Sequence, residues 1–455
     1  MTSFSIRNFG CRVNQAEAFG WTSEFQNRGL AFEPDPDRSG IVVLNSCTLT
    51  ARADRDVRKF IRQTARKNPQ ARIVVTGCLA ERAPAEMAAL PGVWKVIPNS
   101  EKDSLPGAVM SGLPSERWEN PKDSVAEGSP ISEHWEGGPR FGGNRRGSRE
   151  RWEIPERSFR RRAFLKVQDG CDMSCAFCVI PSVRGASRSV PPDVARKRLA
   201  ELAAHGFREV ILTGIHLSSY GRDLQRKSSL LDLLREIEGA FDGLRVRLSS
   251  LDPRLIGPEL IDHIAASRAI RPHLHLSLQH ASKDVLRAMG RSGSGESHLR
   301  LLESIRGRFS SSAALAADIL VGFPGESEAD FRLLEDFLES SPLTSIHVFA
   351  FSARPGTPAA RLPRVDGRVR KERADRLRAF AKARDLRFRR KQEDRTVEAV
   401  VIRKFGAGAE VMTANAIDVR VPLCGAPEGE AVTVRIGASD QGGTAGMVVS
   451  AAGVS

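Results

Sequence analysis

The chain of 455 residues contains no uninterrupted apolar stretch of the roughly 18 residues that a membrane-spanning helix needs. Its opening, MTSFSIRNFG, lacks a charged segment followed by an apolar one, so no secretory leader is read there and the cytoplasm is expected. Aromatic residues make up only 6%, with a single tyrosine, Tyr220, so platforms for base stacking are sparse. There is no internal repeat. Cysteine is scarce too, at seven. In a reducing compartment an odd, small set argues against a disulfide framework and points any clustered subset to metal or redox chemistry.

What the chain has in excess is positive charge. Lys and Arg number 69 against 55 Asp and Glu, a net charge of +14. Such a balance favours a polyanionic partner, nucleic acid first, although basic proteins without one exist. Hydrophobic residues at 41% and charged residues at 27% are ordinary for a globular protein, which excludes wholly disordered and collagen-like chains. At roughly 150 residues per domain, the length suggests about three domains.

Patterning divides the chain into three ordered regions and one poor one. Residues 1–113 alternate short β-like runs (Phe4–Phe9, Ile41–Asn45, Arg72–Thr76, Trp94–Ile97) with helix-period stretches such as Ala51–Lys67, which predicts a parallel α/β sheet. Residues 114–160, including GGPRFGGNRRGSRER, are rich in Gly, Ser, Pro and charge and read as a flexible linker or insertion. Residues 161–392 resume the alternation, with strands expected at Ala163–Gln168, Glu209–Thr213, Arg245–Ser249, His273–Leu278, Ala316–Val321 and Ser345–Phe351. Six strands fit a partial or full parallel barrel, with an open doubly wound sheet as the alternative. An Arg-rich helix over Arg361–Gln392 closes this region, with an apolar stripe expected from Leu377, Phe380 and Leu386. Residues 393–455 alternate in VEAVVI, AIDVRV, AVTVRI and GMVVS, the pattern of a small antiparallel β-barrel.

The sharpest chemical signal is VQDGCDMSCAFC, which spaces Cys171, Cys175 and Cys178 as C-x3-C-x2-C directly after a predicted strand. Three thiolates on one tight loop can hold three irons of a [4Fe–4S] cube and leave the fourth open to a ligand. A closed structural zinc site wants four ligands, and the loop offers no fourth. A strand end is also where β/α barrels carry their chemistry. Cys11, Cys47 and Cys78 each follow a predicted strand of the first region, in FSIRNFGC, IVVLNSC and RIVVTGC. In a parallel sheet the carboxyl ends share one edge, so these three can converge, although buried cysteines in such positions are also plain core residues. His216, His275 and His280 lie near strand ends as site or core residues. Arg184, Arg247 and Arg354 stand as binders of cofactor carboxylate or RNA phosphate, or as surface ion pairs.

The C-x3-C-x2-C segment resembles the radical SAM superfamily, with Phe177 as the bulky residue before the last cysteine. The resemblance implies an open iron that chelates S-adenosylmethionine. It also places Thr213 and Gly214 at its methionine part, Ser277 and Gln279 of HLSLQH on the ribose side, and DILVGFPGE (Gly322, Glu326) near the adenine. Together with the second trio and the order of regions, the chain resembles the radical SAM methylthiotransferases: an auxiliary-cluster domain, a radical SAM barrel and a TRAM-like β-barrel. GCRVNQAE, NSCTLTARAD and VTGCLAE look most like the branch that acts on tRNA threonylcarbamoyladenosine. VRG at Val183–Gly185 departs from the family, which usually has a small residue before Arg-Gly. Cys424 in the diverged tail has no partner and reads as structural.

The resemblance implies two [4Fe–4S] clusters, the auxiliary one on Cys11, Cys47 and Cys78. It implies insertion of a methylthio group at carbon 2 of N6-threonylcarbamoyladenosine at position 37 in a tRNA anticodon stem-loop, with an electron from an unidentified reductant. Catalytic residues beyond the cluster ligands are not assigned. Both open irons are expected to face one cavity. The alternatives are the branch that acts on isopentenyladenosine, the branch that acts on a ribosomal-protein aspartate and, in another class, a non-catalytic zinc-containing RNA-binding protein.

Overall fold

A computed structural model describes residues 2–113, 162–241, 243–422 and 425–451. The expected linker over 114–160 and Cys424 lie outside these. The chain forms two compact units, one of residues 1–159 with 179–186 and one of residues 160–178 with 187–455.

In the first unit, β1 (Ser3–Asn8), β2 (Ala31–Phe32), β3 (Ile41–Ser46), β4 (Arg72–Gly77) and β5 (Val93–Ile97) form a parallel sheet in the order β2-β1-β3-β4-β5. β3 is buried along its whole length, which explains why its sequence is a continuous apolar run rather than an alternation. The helix Ala51–Lys67 matches the sequence reading. Thr50 caps it by accepting from the Ala53 N–H at 3.1 Å. This strand order reverses between β1 and β3, and ligands of such sheets bind beyond the carboxyl ends at that reversal.

The second unit contains β6 (Arg162–Asp169), β7 (Arg188–Ser189), β8 (Glu209–Gly214), β9 (Arg245–Leu248), β10 (His273–Gln279), β11 (Ala314–Val321) and β12 (Ser345–Ala350). β6-β8-β9 and β10-β11-β12 pair in parallel, and parallel bridges Val246–Ile270 and Leu251–Leu276 link the two sets. Neighbours therefore follow chain order, as in a partial barrel, and the doubly wound alternative is set aside. The unexpected β7 pairs antiparallel with β6 over two residues. The basic helix runs over Gly367–Arg390. Its buried stripe is Ala374, Leu377, Ala381 and Phe388, whereas Phe380 and Leu386 are only half-buried. The tail forms a closed barrel of β13 (Thr396–Phe405), β14 (Gly408–Thr413), β15 (Asp418–Pro422), β16 (Ala431–Asp440) and β17 (Gly443–Ala451), in the order β13-β14-β15-β17-β16.

Beneath the partial barrel, the buried Glu209 meets Arg162 at 2.8 Å, Arg247 at 3.1 Å and Arg271 at 3.0 Å. Arg247 also donates to the Thr413 carbonyl of β14 at 3.2 Å, and Arg271 pairs with Glu398 of β13. Arg247 is thus an internal strut that joins the two barrels, which corrects the reading of it as a binder or a surface pair. Burial alone would raise the Glu209 carboxyl, but the three guanidiniums outweigh it and hold the group at about 2. A carboxylate depressed in this way stabilises the fold above its unfolded value near 4.5, and that contribution is lost as pH falls through about 2. Glu209→Gln, which leaves three buried cations facing an amide, is expected to cost about 3–5 kcal/mol. A calorimetric scan should show a melting temperature lower by on the order of 10 °C.

Candidate active site: two cysteine trios

In the first unit, Cys11 begins the helix Arg12–Asn27 just past β1. Cys47 follows β3, and Cys78 is the first residue of a short helix directly after β4. These strands are adjacent and parallel, so the three cysteines stand at their carboxyl ends along one edge of the sheet. Gly77 makes the last junction possible. Its φ is +92°, and a Cβ there would lie 2.3 Å from the Ser46 carbonyl oxygen.

A buried polar array holds the trio. Arg184 Nε donates to Cys78 Sγ at 3.4 Å, and its Nη2 donates to Asn14 Oδ1 at 3.1 Å. The same Asn14 oxygen accepts the Cys11 thiol at 3.3 Å. Glu17 pairs with Arg184 at 3.0 Å and with the buried Lys102 at 2.6 Å. Asn45 donates to both the Asn14 carbonyl and Glu17. Arg184 and Lys102 share the Glu17 carboxylate beside the three cysteines, with burial lowering the Lys102 ammonium. Arg184 is therefore neither surface ion pair nor RNA contact.

Burial pushes the Cys47 thiol up to about 12 and raises Cys11 as well, with Arg184 opposing both shifts. As free thiols they would stay protonated and inert. A bound metal centre deprotonates coordinating thiols outright. Three convergent sulfurs with a buried guanidinium as counter-charge fit the three-cysteine cube implied by the resemblance. Arg184→Met removes a donor to sulfur and a positive charge. It is expected to shift the midpoint potential of a cluster on this trio to more negative values, read by redox titration with EPR detection.

In the second unit, Cys171, Cys175 and Cys178 occupy the loop after β6. The loop is pinned by the Ala176 N–H to the Met289 carbonyl, the Ala359 N–H to the Ala176 carbonyl (each 2.9 Å) and the Cys178 N–H to the Cys175 carbonyl at 3.1 Å. Gly290 allows the approach: a Cβ there would lie 3.0 Å from the Ser174 carbonyl oxygen, and its φ is +73°. Asp252 organises the cations around the loop. It accepts from Arg254 Nε at 2.9 Å, Arg291 Nη2 at 3.1 Å and His216 at 3.3 Å. Arg291 Nη1 donates to Cys175 Sγ at 3.8 Å, while Arg254 and His216 stand near enough to interact electrostatically with Cys175 and Cys171. Burial lowers His216, but its bonds to Asp252 and Cys171 prevail and lift it to about 9. Burial would raise Asp252, yet these partners hold it far below the ordinary carboxylate range. Cationic donors aimed at two of three thiols suit thiolate ligands and not neutral core cysteines.

The remaining expected cofactor contacts occupy strand ends of this unit. Phe177 packs edge-on to Phe323, ring centroids 6.4 Å apart. Thr213 is buried at the end of β8, and its hydroxyl has no hydrogen-bond partner among the described residues. Gly214 sits tightly against Gln168 and Leu217. Ser277 donates to the Leu251 carbonyl at 3.2 Å. Gln279 adopts a φ of +71°, strained for a residue with a side chain, where the β10–β11 register shifts. Gly322 (φ +70°) donates its N–H to Glu326 at 2.7 Å. Glu326 also pairs with Arg373 at 2.6 Å and lies 3.5 Å from His280, so its carboxylate is already occupied inside the protein. His280 is accordingly a core residue.

The sequence reading missed Asp252, Arg254, Arg291 and Gln168. Gln168 accepts the His216 N–H at 2.7 Å and donates to Ser187. Asp252 lies in RLSSLDP and Arg291 ends LQHASKDVLRAMGR, segments in which no spacing marks a single residue.

Residues 165–338 match the profile described as the radical SAM superfamily, and residues 3–97 match the one described as uncharacterized protein family UPF0004. A radical SAM methyltransferase, TsrM from Kitasatospora setae, has a similar fold, with TM-score 0.54 and 18% identity over 79% of this chain and 77% of its own. The fold is therefore that of a radical SAM enzyme. Threonylcarbamoyladenosine tRNA methylthiotransferase MtaB of Thermotoga maritima is 33% identical over 86% of this chain and 84% of its own length. The protein of that name from Bacillus subtilis is 30% identical over 96% and 97%. Ribosomal protein uS12 methylthiotransferase RimO of Roseiflexus castenholzii is 34% identical over 80% and 77%. The chain belongs to the radical SAM methylthiotransferase family.

Proposed function

We propose that this enzyme converts N6-threonylcarbamoyladenosine at position 37 of tRNA to its 2-methylthio derivative. The observation that carries the reading is the pair of cysteine trios, each at strand carboxyl ends and each supplied with buried cationic donors. When bound, the clusters with S-adenosylmethionine supply a carbon radical that removes hydrogen from an unactivated C–H and a sulfur that replaces it. The chain's own share is to hold and charge-balance the sulfurs: Arg184 and Lys102 at one trio, Arg254, Arg291 and His216 at the other. Cys11, Cys47 and Cys78 hold the auxiliary cluster in this reading. Cys171, Cys175 and Cys178 hold the one that binds S-adenosylmethionine, with Phe177, Thr213, Gly214, Ser277, Gln279, Gly322 and Glu326 shaping the loops around it.

Both clusters serve one nucleotide in this proposal. The reaction requires an electron from a reductant yet to be identified. The net charge of +14 supports an RNA substrate, whose phosphates take Lys and Arg contacts that position without specifying sequence.

Among the described residues, no helix is long and apolar enough to cross a membrane. The identity to ribosomal-protein methylthiotransferases keeps that substrate as the second reading. Mass spectrometry of tRNA nucleosides from a deletion strain separates them. The first reading expects loss of 2-methylthio-N6-threonylcarbamoyladenosine. Its persistence, with loss of methylthio from ribosomal protein or from isopentenyladenosine, overturns it.

A further inference from the structure

Three side chains on neighbouring strands of the partial barrel are not used by the cysteine chemistry. His275 of β10, Asp318 of β11 and His347 of β12 project from one sheet face: Asp318 is directly opposite His347, and His275 is opposite Ala316, two residues before Asp318. Asp318 Oδ1 lies 2.8 Å from His275 Nε2 and 3.5 Å from His347 Nδ1. The two imidazole rings stand nearly perpendicular at 4.7 Å. One ligand atom from each residue falls within 4.8 Å of the other two.

The distances discriminate between a hydrogen-bonded trio and a shared ion. The 2.8 Å contact serves either. The 3.5 Å separation is too long for a good hydrogen bond. Ligands at about 2.1 Å from one ion, with angles of about 90–110°, lie roughly 3.0–3.4 Å apart. The two Asp318 edges, 2.8 and 3.5 Å, bracket that range, and the two imidazole nitrogens lie within 4.8 Å of each other, so seating an ion draws the rings together. Burial is graded as an open site requires, with side-chain exposure of 8% at His275, 19% at Asp318 and 52% at His347. Further along the same face, Leu320 and Phe351 pack with Phe177 of the cluster loop.

We propose that His275, Asp318 and His347 form a binding site for one divalent first-row transition-metal ion. Two imidazoles and one carboxylate on one side leave coordination positions open, the arrangement found where such ions take further oxygen or nitrogen ligands. The assignment stands on these residues alone and does not depend on which substrate the enzyme modifies.

The test uses the full-length protein with its iron–sulfur sites filled anaerobically, so that the six cysteines are engaged. The protein is dialysed against micromolar zinc, and zinc and iron are measured by mass spectrometry. The expected result is about one zinc per chain with unchanged iron. His347→Ala removes a half-exposed ring and leaves the core intact. It should weaken zinc retention about tenfold or more at the same iron content, and Asp318→Asn should do likewise. The proposal is overturned if the parent retains no zinc, if zinc enters only as iron leaves, or if His347→Ala retains zinc as well as the parent.

Discussion

Cys175→Ala is expected to abolish both 5′-deoxyadenosine formation and methylthiolation, and to lower the iron content from about eight to about four per chain. Cys175 accepts from Arg291 and lies beside Arg254, so in this assignment its loss removes a ligand and the sulfur that these guanidiniums face. Asp252 still holds both arginines, so the fold should survive. The checks are an iron assay and chromatography of the nucleoside product after incubation with a chemical reductant. Cleavage of S-adenosylmethionine at the parent rate would be incompatible with the assignment.

Cys47→Ala is expected to separate the two halves of the chemistry. Methylthiolated product should fall to background while 5′-deoxyadenosine is still formed, with iron again near four per chain. Cys47 follows the wholly buried β3, and loss of one sulfur there removes little apolar contact. Its thiol stands at about 12 because burial penalises the thiolate, so as a free cysteine it would have no reactivity to lose. A strong effect on product is therefore expected only if the sulfur binds metal. Retention of full methylthiolation would remove this trio from the reaction.

The cysteines, the strands that precede them and the helix Ala51–Lys67 were legible because their signals are local. Parallel strands are short apolar runs, and ligands at their carboxyl ends follow within a few residues. Strands of two residues, β2 and β7, carry no pattern long enough to read. On the basic helix the buried stripe keeps the expected Leu377 but takes the small Ala374 and Ala381 in place of Phe380 and Leu386. The residues around the sulfurs were hidden for another reason. Arg184 is 170 positions from Asn14, and Asp252 meets His216 across 36. An arginine in sequence carries no sign of whether it will be buried against a thiol, an acid or nothing. Glu209 and Arg271 likewise read as ordinary charges, and Arg247 as a binder or surface pair, until the strands bring them together.

The most direct measurement is the iron and acid-labile sulfide content of the anaerobically prepared full-length protein, together with its Mössbauer spectrum. Two three-cysteine sites predict about eight irons and eight sulfides in cubane form, in a brown protein. A colourless protein carrying zinc, or one whose iron stops near four in the parent chain, would contradict the account.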